Sequence, residues 1–88
     1  MKKDYTYEQV ELQIKKIFIE HLQEEISTDS LSVDENFLDK YGFNSIDALE
    51  LLLKVEQAFD VQIPDDDLSA DLIQTVESLS HYIFQLIS

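Results

Sequence analysis

Ser45 is the residue whose type and surroundings best suit covalent chemistry at a side chain. It follows Gly42 and Asn44 and begins a helical pattern that continues to Phe59. A side chain in the first turn of a helix lies close to backbone N–H groups that have no intrahelical acceptor, and such groups favour a phosphate. Gly42, the sole glycine, permits a backbone bend that exposes this turn. The pattern therefore predicts an accessible serine at a helix start.

Nothing close to Ser45 in the sequence resembles a base that would activate its hydroxyl. The Gly-x-Ser-x-Gly motif of serine hydrolases is absent, and His21 and His81 lie far from Ser45 along the chain. Each histidine is interpreted as an ordinary surface or boundary residue. We therefore expect no catalytic residue and predict that the protein is not an enzyme.

The acidic run Asp65–Asp67 suggests an alternative, an acidic metal-binding protein. Three successive carboxylates on a helix cannot all point at one ion, and the spacing of a calcium-binding loop is absent. The sequence has no cysteine, which excludes disulfides and thiolate metal sites. An acidic helix start is the preferred interpretation, and we expect no metal site.

The composition limits the classes of partner. The chain has 88 residues, enough for one domain over residues 1–88, and a formal net charge of -13. Such a surface repels nucleic acid and anionic lipid but attracts proteins with basic patches. The Met1–Asp4 segment leads into a charged stretch without an apolar signal core, and no apolar run is long enough to span a membrane. We expect a cytoplasmic monomer that binds neither nucleic acid nor membrane.

Helical periodicity dominates the sequence, which has one glycine and one proline and so few turn signals for a β-fold. We predict a small all-α four-helix bundle, with three longer helices and a short third helix. The helices are expected near residues 6–24, from the Asn44 cap to Phe59, from Asp65 to about Ala70, and after a Thr75 cap. Residues 25–44 are predicted to form a long ordered loop between the first two helices. The apolar positions that carry the outer helices are Tyr7, Val10, Ile14, Ile17 and Phe18 in the first, and Val76, Leu79, Ile83 and Leu86 in the last.

The helix that begins at Ser45 has two apolar stripes when it is projected at 100° per residue. One stripe is predicted to face the core and comprises Ala48, Leu51, Leu52, Val55 and Phe59. The second stripe, Ile46, Leu49 and Leu53, is bordered by Glu50 and Glu56 and has the composition of a docking surface for a basic, apolar partner. Leu49 lies nearest the core stripe and could simply widen it. Ile46 and Leu53 are therefore the stronger candidates for exposure.

Four consecutive motifs together resemble the acyl carrier protein family. They are Gly42–Asp47, Leu49–Leu51, Val55–Asp60 and Ile63–Asp65, and they match the family's Gly-x-Asp-Ser-Leu start, hydrophobic-Glu-Phe-type helix end and Ile-Pro-acid turn in order and spacing. Helical periodicity on both sides extends the resemblance over nearly the whole chain. The combined pattern is specific, whereas the serine alone would not be.

The resemblance implies a role for Ser45 as the attachment point of a 4'-phosphopantetheine arm. In the family, a separate phosphopantetheinyl transferase with Mg²⁺ at its own site transfers this arm from coenzyme A to the serine hydroxyl. The arm's thiol then holds an acyl or aminoacyl group as a thioester, which partner enzymes load and process. Acidic residues of the second helix usually meet basic patches on these partners, which implies docking roles for Asp47, Glu50 and Glu56. The resemblance thus implies a freestanding carrier protein.

Departures from the family pattern leave the subtype open. Asn44 stands where the family usually has Asp, and Gln57 and Ala58 stand where fatty-acid carriers commonly have acids. These changes favour a specialised carrier, in polyketide, nonribosomal peptide or aminoacyl biosynthesis, over one for housekeeping fatty-acid synthesis. The alternative is a carrier-like interaction module without the arm, in which Ser45 is incidental. The sequence identifies neither the carried group nor the partner enzymes.

Overall fold

A computed structural model describes residues 5–22, 27–67 and 70–87. Its described part is all helical, with four α-helices and no strand. The helices are α1 (Tyr7–Leu22), α2 (Phe37–Tyr41), α3 (Ser45–Phe59) and α4 (Val76–Ile87). No helix in these residues is long and apolar enough to cross a bilayer. The all-α class predicted from the sequence is confirmed.

Helix α1 packs against both α4 and α3, and one core joins the three longer helices. The predicted stripe of α1 is buried at Val10, Ile14, Ile17 and Phe18, while Tyr7 is half-buried. In α4 the prediction is wrong at one position, because Leu86 is exposed and Ile87 is buried. Ile87 lies four residues after Ile83, so the buried stripe continues with the four-residue step.

The predicted loop between the first two long helices contains a short helix. The described part of this segment has a 3₁₀ turn at Thr28–Ser30 and the five-residue helix α2. Asn36 caps α2 by accepting a hydrogen bond from the Asp39 N–H at 3.0 Å. Buried Leu31 anchors the loop to the core. Residues 25 and 26 of the predicted loop, and 23 and 24 of the predicted first helix, lie outside the described residues.

The segment after Pro64 contains two 3₁₀ turns instead of the short third helix that we predict. They are Asp65–Asp67 and Ala70–Ile73. The Asp67 N–H donates to the Pro64 carbonyl at 2.9 Å, which is the i→i+3 bond that closes such a turn. At the start of α4, Thr75 Oγ1 accepts from the Ser78 N–H at 3.0 Å, which confirms the predicted cap.

Candidate functional site

The start of α3 is held by a reciprocal pair of hydrogen bonds between Asn44 and Asp47. The Asn44 side chain accepts from the Asp47 N–H at 2.9 Å, and the Asp47 carboxylate accepts from the Asn44 N–H at 3.2 Å. This is a capping box, which satisfies one backbone donor at each of the two residues. Asn44 therefore acts as the N-cap that the sequence predicts.

Gly42 turns the chain from α2 into α3. Its φ of 67° lies in the left-handed region, which glycine adopts without the steric penalty of a Cβ. The next residue, Phe43, donates its N–H to the Leu38 carbonyl at 2.9 Å, which closes the end of α2. The bend that the sequence predicts before the serine is confirmed.

Ser45 is the first residue of α3, and it is exposed. Ser45 and Ile46 lie in the first turn of α3, where a backbone N–H has no carbonyl acceptor within the helix. Their N–H groups are therefore available to bind an anion. They lie at the positive end of the helix dipole, which favours negative charge. An exposed hydroxyl beside these donors fits a phosphodiester-linked group. Within the described residues, the Ser45 hydroxyl makes no hydrogen bond to a histidine or a carboxylate.

The second apolar stripe of α3 is exposed along its length. Ile46 is 67% exposed, Leu49 47% and Leu53 55%. The opposite stripe is buried at Ala48, Leu51, Leu52, Val55 and Phe59. Leu49 therefore does not widen the core, which was the simpler interpretation of its position. The three side chains form one exposed apolar surface, which we call the α3 stripe.

The three acidic residues proposed for docking differ in their surroundings. Glu50 is exposed, whereas Asp47 and Glu56 are half-buried. One Glu56 oxygen, Oε2, accepts from the Ile63 N–H at 2.6 Å, so this side chain ties α3 to the segment that follows it. Asp47 is held in the capping box. Glu50 is thus the carboxylate beside the α3 stripe that is most accessible to a partner.

His21 lies beside the start of α3, which our sequence interpretation missed. Its Nε2 is 3.4 Å from Asp47 Oδ1, and its Nδ1 is 3.3 Å from Lys54 Nζ. Ligand atoms of His21, Asp47 and Glu50 lie within 4.8 Å of one another, a group that could hold a metal ion. Asp47 and Glu50 lie 26 or more positions after His21 in the sequence, so no local spacing could indicate this cluster.

The acidic run after Pro64 has a structural contact. Tyr82 donates its hydroxyl hydrogen to Asp67 Oδ2 at 2.7 Å and so joins this segment to α4. Burial raises the pKa of Tyr82 to about 12, and the hydrogen bond and charge of Asp67 contribute to the rise. Among the described residues, the group that could hold a metal ion is His21, Asp47 and Glu50, and it includes neither Asp66 nor Asp67. The Asp65 side chain is not among those described.

Comparison with known protein families identifies the class of this protein. The model of the family described as "phosphopantetheine attachment site" matches residues 13–83. The match covers most of the chain and includes all of α2 and α3. The chain belongs to this family of phosphopantetheine-binding carrier domains, as its resemblance to acyl carrier proteins predicts. The cofactor of such a domain is covalently attached 4'-phosphopantetheine.

Proposed function

We propose that this chain is an acyl carrier protein that bears its 4'-phosphopantetheine arm on Ser45. The observation that carries the proposal is an exposed serine at the start of α3, held in place by the Asn44–Asp47 capping box. Its oxygen would displace adenosine 3',5'-bisphosphate from coenzyme A, losing its proton at the transferase, to form the phosphodiester. The first-turn N–H groups would be available to the phosphate oxygens. The bound arm supplies a thiol that holds an acyl or aminoacyl group as a thioester.

The chain's own contribution is presentation of the arm. Ser45 is proposed as the substrate of a separate phosphopantetheinyl transferase, because no base contacts its hydroxyl within the described residues. We accordingly propose a non-catalytic protein in which residues 1–88 form a single carrier domain, and a monomer located in the cytoplasm. The changes at Asn44, Gln57 and Ala58 support a specialised pathway over housekeeping fatty-acid synthesis.

Partner enzymes with basic patches are proposed to dock on the α3 stripe and Glu50. Two facts support this surface: the three apolar side chains are exposed, and the chain carries a net charge of -13. The negative field of the protein would speed its association with a basic partner, and burial of the apolar side chains would add affinity to the complex. Asp47 and Glu56 are proposed to add to the field, although both also have structural contacts.

The attachment role is tested by incubating the protein with coenzyme A, Mg²⁺ and a broad-range phosphopantetheinyl transferase. Intact-mass spectrometry should show one phosphopantetheine added to the wild type and none to Ser45→Ala. Ser30→Ala is a matched control, because Ser30 is also exposed but ends a 3₁₀ turn instead of beginning a long helix. It should be modified like the wild type.

An unmodified wild type, or equal addition to Ser45→Ala, would contradict the attachment role. The protein would then be better described as a carrier-like interaction module without the arm. Circular dichroism of each variant checks that the helices are retained.

A further inference from the structure

His21 contacts the chain on both sides of Ser45. It lies in the last turn of α1, and its side chain is only 11% exposed. Its ring packs edge-on against Phe43 with a centroid distance of 5.0 Å, and its Nε2 reaches Asp47. Phe43 and Asp47 each lie two residues from Ser45. The end of α1 therefore contacts the two positions that bracket the exposed serine.

The two polar partners of His21 favour one tautomer of its imidazole. An ammonium can only donate a hydrogen bond and a carboxylate can only accept one. Lys54 therefore requires a bare Nδ1 as its acceptor, at 3.3 Å, while Asp47 requires a protonated Nε2 as its donor, at 3.4 Å. The neutral imidazole with its hydrogen on Nε2 satisfies both partners at once. A protonated imidazole would direct a second N–H at the Lys54 ammonium.

The contact with Asp47 extends to the capping box. Asp47 presents Oδ1 to His21 and Oδ2 to the Asn44 N–H, while its own N–H donates to Asn44 Oδ1. Fixing the Asp47 side chain from α1 therefore restrains both ends of the turn that contains Ser45. Glu50 is the other carboxylate of α3 close to His21, so with a neutral imidazole these two acids exceed the Lys54 ammonium by one negative charge.

We infer that His21, as the neutral Nε2–H imidazole, is a positioning residue that fixes the start of α3 and so orients Ser45 for modification. This role rests on the proposed attachment function, whereas the bridge from Lys54 to Asp47 does not. The substrate of the reaction it serves is Ser45 itself, and His21 takes no part in proton transfer to the hydroxyl.

The bridge is tested by ¹⁵N NMR of the imidazole nitrogens at neutral pH. His21 should show a protonated Nε2 and an Nδ1 that accepts a hydrogen bond. Lys54→Met should shift the Nδ1 signal towards that of a free acceptor nitrogen, and His81, which is exposed on α4, should not change. Lys54 is exposed, so this variant should fold. An Nδ1–H tautomer in the wild type, or no change in Lys54→Met, would overturn the inference.

The positioning role is tested by the rate of phosphopantetheinylation of two variants. His21→Gln keeps a donor and an acceptor and should be modified at nearly the wild-type rate. His21→Leu fills similar space against Phe43 but cannot bridge Asp47 and Lys54, so its KM as a transferase substrate should rise several-fold with little change in kcat. The reason is that a smaller fraction of His21→Leu molecules would hold Ser45 in the orientation that the transferase binds, which weakens the apparent binding of the protein to the transferase.

The two variants separate positioning from packing. If the ring only fills space, His21→Leu should be modified as well as the wild type and better than His21→Gln, and the inference fails. Failure of the proposed function would give a different result. Neither the wild type nor the His21 variants would then be modified, while ¹⁵N NMR would still show whether His21 bridges Lys54 and Asp47.

Discussion

Asn44 is the residue at which this chain departs most informatively from the family pattern. The amide accepts the Asp47 N–H as an aspartate would, so the helix start keeps its cap. What is lost is one negative charge next to Ser45. The departure therefore removes a charge beside Ser45 and keeps the hydrogen bonds that cap the turn.

Substitutions at Asn44 should separate capping from charge. Asn44→Ala removes the acceptor and should lower the free energy of unfolding by about 1 kcal/mol. Asn44→Asp keeps an acceptor, should stay within about 0.5 kcal/mol of the wild type, and should be modified faster by a broad-range transferase. Urea unfolding and initial modification rates measure these effects. Equal stability of Asn44→Ala and the wild type would show that the capping box contributes nothing.

Helix α3 has a buried apolar face and an exposed apolar face. Its buried stripe joins the core, while the α3 stripe leaves Ile46, Leu49 and Leu53 exposed beside Glu50. The opposite stripe of α3 already fills its place in the core, so the core does not need these three side chains. The exposed face is therefore available to partners without cost to the fold.

Changes on the exposed face of α3 should impair partners and spare stability. Leu53→Glu should lower kcat/KM for the transferase about tenfold, the equivalent of about 1.4 kcal/mol, because a charge replaces a buried apolar contact in the complex. Glu50→Lys should slow association several-fold by reversing a charge at the interface. Circular dichroism and urea unfolding should match those of the wild type.

Matched controls lie on the other long helices, away from the α3 stripe. Leu12→Glu places the same charge at an exposed leucine of α1, and Gln85→Lys adds a lysine to an exposed site on α4. Both should be modified close to the wild-type rate. Unfolding of Leu53→Glu would assign Leu53 to the core and contradict the docking role of the α3 stripe.

At the scale of the whole molecule, the hydrogen bond from Tyr82 to Asp67 joins α4 to the segment after Pro64. The pKa of Tyr82 rises from 10.0 to about 12, first because of burial and then because of the bond and charge of Asp67. A phenol with a raised pKa holds its proton more tightly in the folded state than in the unfolded chain. Its contribution to stability is therefore complete below about pH 10 and is lost as the pH rises towards about 12.

Tyr82→Phe should reveal this contribution. At neutral pH the variant should be less stable by about 1 kcal/mol, the net value of such a hydrogen bond. Its stability should also fall less steeply than that of the wild type between about pH 10 and 12. Burial also raises the pKa of Tyr7, but that residue is common to both proteins, so the difference between them isolates Tyr82. Parallel pH profiles from urea unfolding would contradict the coupling.

Local signals in the sequence account for much of the fold. The apolar periodicity predicts the three longer helices, and the caps at Asn44 and Thr75 predict where two of them begin. These features depend on residues three or four positions apart, which a single helix brings together by itself. Helix α2 has only five residues, which are too few to show a period, so apolar periodicity does not predict it. Its cap Asn36 and its terminal Gly42 are the local signals that mark it.

The sequence by itself determined that Ser45 begins an acidic helix with two apolar stripes, because projection of one helix needs no other part of the chain. Only the tertiary structure decided which stripe is exposed along its whole length, including Leu49. It also decided that Glu56 binds the Ile63 backbone and that His21 bridges Lys54 and Asp47. Those contacts arise from how α1, α3 and the following segment pack together. Residues on separate elements meet only through that packing, which leaves no periodic trace in the sequence.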